Sequence, residues 1–389
     1  MQTSATLSTT NDEPHPQPIR VAVIGAGLAG ASCGRGLGYA DAHVTVFEQS
    51  RYAGGRMATR HAAWTDDAGI VQSVTFDHGA QCFTAVRPRF RAFMARAVAE
   101  GHAVRWQPLV HSSRSATSDA CFVPTTGATA LCDHLLAGST VHLERNVRRL
   151  QRAADGAWYV ASDGALLAGP FQYVALAVPP ARAAVLLAGH QDAWAAALVG
   201  KRMEASWTLM AVTDDVDWPW DAAEPDRGPL AWVGRNDRVP ARAAPPGLAV
   251  WTAHATAEWS AARLDAEPGA VSLELQAALR AQLPIVGLSG RPWRWHHASV
   301  QRWRDAGPAF DCDDSFDEGD AWWDERLGLG VCGDWLGGGG VEAAWHSGDV
   351  LADVMAASLE SIGVARPVTA VLHPPASGIL SSDDRLVTG

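Results

Sequence analysis

The sequence predicts an α/β fold in which a parallel sheet with helices is interleaved with an α+β domain built on an antiparallel sheet. Three observations predict it. The first is an apolar run, Val21 to Ile24, that passes directly into Gly25-Ala26-Gly27-Leu28-Ala29-Gly30, the GxGxxG spacing of a Rossmann-type strand-to-helix turn. A second strand, Val44 to Phe47, ends in Glu48, where the acid of a dinucleotide fold meets a ribose. The second observation lies near the other end. There Leu327 to Val331 delivers Cys332-Gly333-Asp334-Trp335, four glycines from Gly337 to Gly340, and a helix start at Val341. The third lies between them, where Trp207 to Val212 and Leu248 to Thr252 read as strands of an antiparallel sheet.

Each position of the first turn has a mechanical reason. Gly25 makes the turn, Gly27 and Ala29 lie where the backbone approaches a pyrophosphate, and Gly30 lets helix and sheet pack closely. The anion then faces a helix N-terminus, whose free N–H groups and dipole favour negative charge. Gly34, Gly36 and Gly38 fall inside this helix and cost about 1 kcal/mol each against alanine, so packing must hold it.

Further along, Arg87 to Trp106 has helical periodicity, with Phe90, Phe93, Met94, Ala97 and Val98 on one face. His111 to Asp119 is a Ser/Thr-rich loop, and the Thr and Gly residues after Phe122 to Pro124 signal another helix start. Val141 to Glu144 reads as a strand continued by Asn146 and Val147. Trp158 to Val160 opens a hairpin that turns at Asp163-Gly164. Tyr173 to Val178 is an apolar strand ended by Pro179-Pro180, where the chain is expected to cross to another domain. Val271 to Leu283 is an amphipathic helix, and Asp311 to Asp320 an acidic loop.

With 389 residues the chain has material for two or three domains. It carries 31 basic and 42 acidic residues, a formal net charge of −11, which argues against nucleic-acid binding through a basic surface. Cys33, Cys82, Cys121, Cys132, Cys312 and Cys332 include no CxxC pair, which fits reduced thiols in a cytoplasm, with Cys33 and Cys332 packed near the nucleotide turn. Residues 1–18 are polar, without the apolar core of a signal peptide, and no run is long and apolar enough to span a bilayer.

After Glu48, the glycine pair Gly54-Gly55 followed by Arg56 brings more backbone and a planar cationic fork to a pyrophosphate. This resembles the GG-doublet FAD proteins of the flavin amine oxidase superfamily. Leu176 to Pro180 (LAVPP) matches the superfamily pattern too, and the stretches Gly54 to Arg60 (GGRMATR), Phe76 to Thr84 and His254 to Ser260 resemble its renalase-like branch more narrowly. The resemblance implies non-covalent FAD held by Gly25, Gly27, Ala29, Gly30, Glu48, Gly54, Gly55, Arg56 and Met57. Val147 would contact the adenine, Gly333 and Asp334 the ribitol, and Gly340 and Val341 the flavin pyrimidine through the helix N-terminus. It places Asp77, His78 and Trp335 as catalytic candidates and Trp207, Trp232, Arg302 and Trp345 as substrate contacts. No metal is expected.

It also implies a partition of the chain. A leader (1–18) and a tail (365–389) flank FAD-binding parts at 19–82, 121–180 and 297–364, a helical insertion at 83–120 and a substrate domain at 181–296. Cys82 stands where the family has tyrosine, Gln301 and Asp305 depart from its His-Arg-Trp-Arg-Tyr run, and the turn after Pro124 lacks the family's glycine and methionine.

Renalase-like enzymes oxidise misreduced dihydronicotinamides, the 2- and 6-dihydro isomers, with O2 as acceptor and H2O2 as product, and that activity is the expectation for this chain. A flavin amine oxidase is the alternative. Such sites use a lysine and an aromatic cage, whereas Lys201 is the single lysine here and Tyr173 the last tyrosine. A non-catalytic FAD-binding protein is the alternative of another class.

Overall fold

A computed structural model of the chain describes residues 18–112, 120–162, 165–282, 294–309, 319–362 and 371–372. A seven-stranded sheet forms one half of the molecule. Thr140–His142, His43–Phe47, Arg20–Ile24, Tyr173–Leu176 and Leu329–Val331 lie side by side in parallel. Trp322–Asp324 then pairs antiparallel to the last of these and Val371–Leu372 closes the edge. Val21, Ala22 and Val23 are wholly buried, as an unbroken apolar run in a sheet covered on both faces must be.

One face is covered by the helices Leu28–Tyr39, Ala130–Leu136, Pro88–Ala99 and the 23-residue helix Gly340–Ile362. The glycine-rich first helix is held by contact, as its composition requires. A Cβ on Gly36 would sit 2.5 Å from that of Ala352, and one on Gly348 would sit 2.0 Å from the carbonyl oxygen of Ala29. The first and last long helices thus cross almost backbone to backbone.

The opposite face is covered by the helices Pro180–Leu187 and Asp192–Val199, whose Leu186, Leu187, Trp194 and Leu198 pack with Val174, Leu176 and Val331. The chain therefore does not leave this half at residue 181. Pro180 opens a helix, where its missing N–H is harmless, and that helix folds back on the sheet.

The other half is a six-stranded sheet ordered Trp295–Pro308, Met203–Asp214, Leu248–Ala255, Leu230–Arg235, Ala222–Glu224 and Val110–Ser112. All its pairings are antiparallel except the last. Its back face presents Trp207, Leu209, Ala211, Trp251 and Ala253 to Val271, Leu275 and Leu279 of the helix Pro268–Gln282. Its front face packs Met210, Val212 and Val250 against Val74 and Phe76 of the hairpin Thr59–Thr65/Val71–Asp77.

Two further expectations change. The partition expects the chain to return to the FAD-binding half at residue 297, Val300 to Arg304 included, but the strand holding them pairs along Met203–Asp214, so the chain stays in the antiparallel sheet through Pro308. The helix expected to Trp106 ends at Ala99, and Gly101 turns the chain at φ +79° into a strand, Ala103–Trp106, paired with Cys121–Pro124. Its Phe90, Met94 and Ala97 join the core beneath the parallel sheet, so the segment 83–120 divides between the two halves. The leader to residue 17, the loop 113–119, the turn 163–164, the acidic loop 310–318 with Cys312, and residues 373–389 lie outside the described residues. No helix among the described residues is long and apolar enough to cross a membrane.

Candidate functional site

The nucleotide turn assembles from backbone and a single acid. Gly25, at φ +107°, donates its amide to the carbonyl of Phe47 at 2.8 Å. Glu48, buried at the end of the neighbouring strand, accepts from the amides of Ala26 at 2.9 Å and Ser50 at 2.8 Å. That pins the acid against the turn it is expected to serve. The two glycine motifs then meet: Gly27 and Gly54 form a parallel bridge, and the Gly54 amide donates to the carbonyl of Ala26 at 2.9 Å. A Cβ on Gly55 would lie 3.2 Å from the Cα of Gly27, and one on Gly54 2.3 Å from the carbonyl oxygen of Met57. Met57 is buried and its amide donates back to Gly54 at 3.0 Å. Here the helix Leu28–Tyr39 begins, and the amides of its first turn, Ala29 and Gly30 among them, have no acceptor within the helix.

The second signature lands beside the first. Arg56 makes a two-pronged bond to Asp334, at 2.8 and 2.6 Å, across 278 residues of sequence. Gly333 donates its amide to Ser347 Oγ at 2.9 Å, the amides of Gly337 and Gly339 donate to the carbonyl of Asp334, and Gly340 at φ +86° starts the last helix ahead of Val341. The pyrophosphate donor and the ribitol acceptor of the sequence reading thus hold each other. Val147 is buried behind the turn with Ile24 and Phe47, and its carbonyl accepts from Arg182 at 2.6 Å. A cradle of bare backbone that side chains would fill, edged by two helix N-termini and a buried acid, fits a dinucleotide.

Immediately beyond the glycine pair the chain returns at His78 to Gln81. The amides of His78 and Ala80 donate to the carbonyls of Ala58 and Arg56, both at 3.0 Å. This return closes onto a polar row on the front face of the six-stranded sheet. Trp232, His254, Thr208 and Gln301 stand opposite one another across four strands. Thr208 Oγ1 and His254 Nδ1 are 3.0 Å apart, the Trp232 indole donates to Gln81 Oε1 at 2.7 Å, and Gln301 Oε1 accepts from Arg60. The ring of His78 stacks on Trp303 at 5.3 Å, and the Trp303 indole donates to the His78 carbonyl at 3.2 Å. His78 is 6 % exposed, and its Nδ1 is buried with no partner.

Burial, with the Arg60 charge behind it, pulls the His78 pKa down to about 4; burial, with His78 behind it, does the same for His254. Both rings are therefore neutral at pH 7, suited to hydrogen bonding rather than to carrying a proton into a reaction. Since the unfolded chain binds these protons near pH 6.5, their burial leaves stability intact above that pH and erodes it as pH falls from about 6.5 to about 4. Thermal unfolding across that window should show Tm falling with acid in the wild type and a shallower fall in His254→Gln. Parallel curves would remove His254 from the account.

Several expected site residues are elsewhere. The Asp77 carboxylate is buried and saturated. Oδ1 accepts from Thr59 Oγ1 at 2.6 Å and the Ala128 amide at 3.2 Å, while Oδ2 accepts from Arg242 Nε at 2.9 Å and pairs with its Nη2 at 2.7 Å. It positions the hairpin and leaves no oxygen free for a ligand. Trp335 packs edge-on against Trp322 on the face of the parallel sheet covered by Pro180–Leu187 and Asp192–Val199, its indole donating to the carbonyl of Val178 at 3.3 Å. Trp345 stacks on Phe93 in the helical layer. Trp207 faces the back of its sheet, donating to the carbonyl of Arg263 at 3.1 Å, with the Arg302 guanidinium 5.5 Å from its ring centroid. Of the catalytic and substrate candidates, His78 and Trp232 are the two that reach the polar row. Arg60, Gln81, Thr208, His254, Gln301 and Trp303 join them there; the sequence gives none of these a site role, although Gln301 stands out as a departure from the family run and Arg60, Gln81 and His254 lie in the stretches that carry the resemblance. Cys82 follows Gln81 and is a free thiol beside that of Cys121, and Cys33 and Cys332 are buried in the same core, Cys33 as a free thiol beside Cys332.

Residues 23–97 match the family model described as an NAD(P)-binding Rossmann-like domain. Across most of the chain the fold is similar to that of an oxidoreductase from Methanosarcina mazei, at 15 % identity and a TM-score of 0.54, covering 86 % of this chain and 100 % of that one. It is also similar to a putrescine oxidase carrying an A394C substitution, at 12 % identity and a TM-score of 0.57, covering 88 % and 100 %. Reduced UDP-galactopyranose mutase matches at 10 % identity and a TM-score of 0.61, covering 90 % and 95 %. At these identities the likeness is one of fold: a Rossmann-like domain with its parallel sheet, joined to a separate antiparallel sheet.

Proposed function

We propose that the protein is a FAD-dependent oxidoreductase that takes a hydride from a small reduced substrate, in the manner of the renalase-like oxidases. The observation that carries this reading is the meeting of Gly27 with Gly54-Gly55 and of Arg56 with Asp334, directly beside the polar row. A nicotinamide dehydrogenase needs only the first glycine turn, whereas a second glycine pair and a second Gly-Asp-helix signature fit a longer, flavin-bearing dinucleotide. That two of the matched folds are a putrescine oxidase and a UDP-galactopyranose mutase is in keeping with it.

FAD, when bound, supplies the hydride acceptor and, through O2, the route to H2O2. The chain supplies position and field. Gly25 to Gly30 and Gly54 to Gly55 would hold the pyrophosphate on backbone amides, and Glu48 the ribose. The start of the helix at Gly340 would set positive potential where negative charge develops during hydride transfer. The polar row would orient the substrate: Trp232 and Trp303 offer flat aromatic walls, and neutral His78, His254 and Gln301 offer hydrogen bonds. No residue of the row need accept a proton for a hydride to leave a dihydropyridine, in keeping with two histidines held neutral. The substrate we propose is a 2- or 6-dihydro isomer of a nicotinamide dinucleotide.

The test is an anaerobic titration of the purified protein, followed by its visible flavin absorbance. Rapid bleaching by 2- or 6-dihydronicotinamide dinucleotides, with peroxide on admitting air, is the expected result. Bleaching by primary amines alone would assign the protein to the amine oxidases. A yellow protein that neither bleaches would favour the non-catalytic reading, and a protein that binds no FAD would overturn the proposal.

A further inference from the structure

We propose that Arg60 makes the substrate pocket an anion-binding site, so that the ligand of the polar row carries a carboxylate or phosphate and not a protonated amine. The inference rests on the reading of that row as the substrate pocket, and it adds the charge class of what enters.

Arg60 stands on the hairpin strand Thr59–Thr65, opposite Phe76, on the face that packs against the antiparallel sheet. Its side chain is half-buried. Among the described residues its one hydrogen bond is to Gln301 Oε1, and no carboxylate pairs with it. Three other buried or half-buried guanidinium groups are matched by carboxylates. Arg56 holds Asp334, Arg242 holds Asp77, and Arg235 holds Asp215 and Asp237. In a chain of net charge −11 a carboxylate for Arg60 would be easy to place. An amide oxygen such as that of Gln301 solvates a cation without neutralising it, so the positive charge remains directed at whatever lies against the row.

A second, independent feature points to a ligand at the same place. His78 is more than nine-tenths buried, yet its Nδ1 has no partner. An orphaned buried ring nitrogen carries a desolvation penalty that a ligand hydrogen bond would lift. Arg60 is near enough for its charge to lower the pKa of both His78 and His297. Burial is the larger cause for both rings, and the guanidinium charge adds to it; by the same Coulomb interaction that charge opposes an ammonium ion and attracts an anion in a partly desolvated pocket. Its planar fork suits carboxylate and phosphate oxygens, and the bond to Gln301 orients it.

The experiment is calorimetric titration of the protein as purified, at low ionic strength and pH 7.5, with four small aromatic probes. Benzoate and phenyl phosphate are anions, benzamide is neutral, and benzylamine is a cation. We expect benzoate or phenyl phosphate to bind at least tenfold more tightly than benzamide, and benzylamine to bind most weakly. Whichever anion leads identifies the ligand group as carboxylate or phosphate. Arg60→Gln should bring anion and benzamide to within twofold, while Arg60→Lys should keep part of the preference; added salt should compress it in the wild type. Near-ultraviolet circular dichroism of both variants confirms that the fold is retained. Equal binding of anions and benzamide by the wild type, a preference that survives in Arg60→Gln, or no binding of any probe would each overturn the inference. These results are separable from the flavin reading, because the visible spectrum of the same samples reports whether FAD is present.

Discussion

Replacing Arg242 with alanine is expected to cost about 3–5 kcal/mol of stability, the range for breaking a buried ion pair from one side. The side chains of Arg242 and Asp77 are 3 % and 2 % exposed, and their closest approach is 2.7 Å. The guanidinium also donates to the carbonyls of Pro124, Thr125 and Pro240, at 3.0, 2.8 and 3.2 Å. One cation thus ties the hairpin end at Asp77 to the strand Cys121–Pro124 and to the turn after Arg238. Alanine would strand the Asp77 charge in a dry interior and leave three carbonyls short of a donor. Urea denaturation should show the midpoint falling steeply. The double variant Asp77→Asn/Arg242→Ala should recover part of the loss, since the uncompensated charge is then removed. A loss below about 1 kcal/mol would mean that water reaches the pair and that the junction is held by apolar packing.

The second large effect is expected from Gly30→Ala. A Cβ there would sit 1.9 Å from the carbonyl oxygen of Gly25 and 3.1 Å from the Cβ of Ala177, so the turn itself would have to open. Overpacking of this kind costs about 1–3 kcal/mol, and opening the turn displaces the very amides proposed to hold the pyrophosphate. Flavin absorbance relative to protein should fall at least tenfold, with a lower Tm. Gly38→Ala is the matched control in the same helix. A Cβ there meets nothing within 4 Å, so this variant should keep its flavin and gain up to about 1 kcal/mol. Equal flavin content in the two variants would break the link between the turn and the cofactor.

What could be read from the sequence divides along a physical line. The strand–turn–helix at Val21 to Gly30 and its acid at Glu48 were legible because each interaction there is made within a short stretch: the Gly25 amide finds Phe47, and the Ala26 amide finds Glu48. The pairing of Arg56 with Asp334 was not, because each residue has a role in its own motif and nothing local says that the two touch. The substrate side was hidden for another reason. From Trp207 to Val212 the strand is buried on both faces, so the alternation that normally marks the inward side is absent. Parity decided the outcome. Trp207 and Arg302 point to the back of the sheet, while Thr208 and Gln301, one step away, point to the cleft. Tryptophan density was equally uninformative, since Trp232 lines the row while Trp335 and Trp345 fill cores on either side of the parallel sheet. The helix end at Ala99 follows from Gly101, whose positive φ a count of apolar periodicity does not register.

The crossing of the first and last long helices, with Gly36 against Ala352 and Gly348 against Ala29, has a consequence for how the protein is made. Arg56 leaves the ribosome 278 residues before Asp334, and at about 5–20 residues per second that gap lasts roughly 15–55 s. Throughout it the nucleotide turn lacks its second signature and the helix that braces it, and one face of the nascent sheet lacks its longest helix. Loading of the proposed cofactor is therefore expected only after Asp334 has emerged, and a product stopped before Leu329 carries every residue of the glycine turn without the wall that closes behind it.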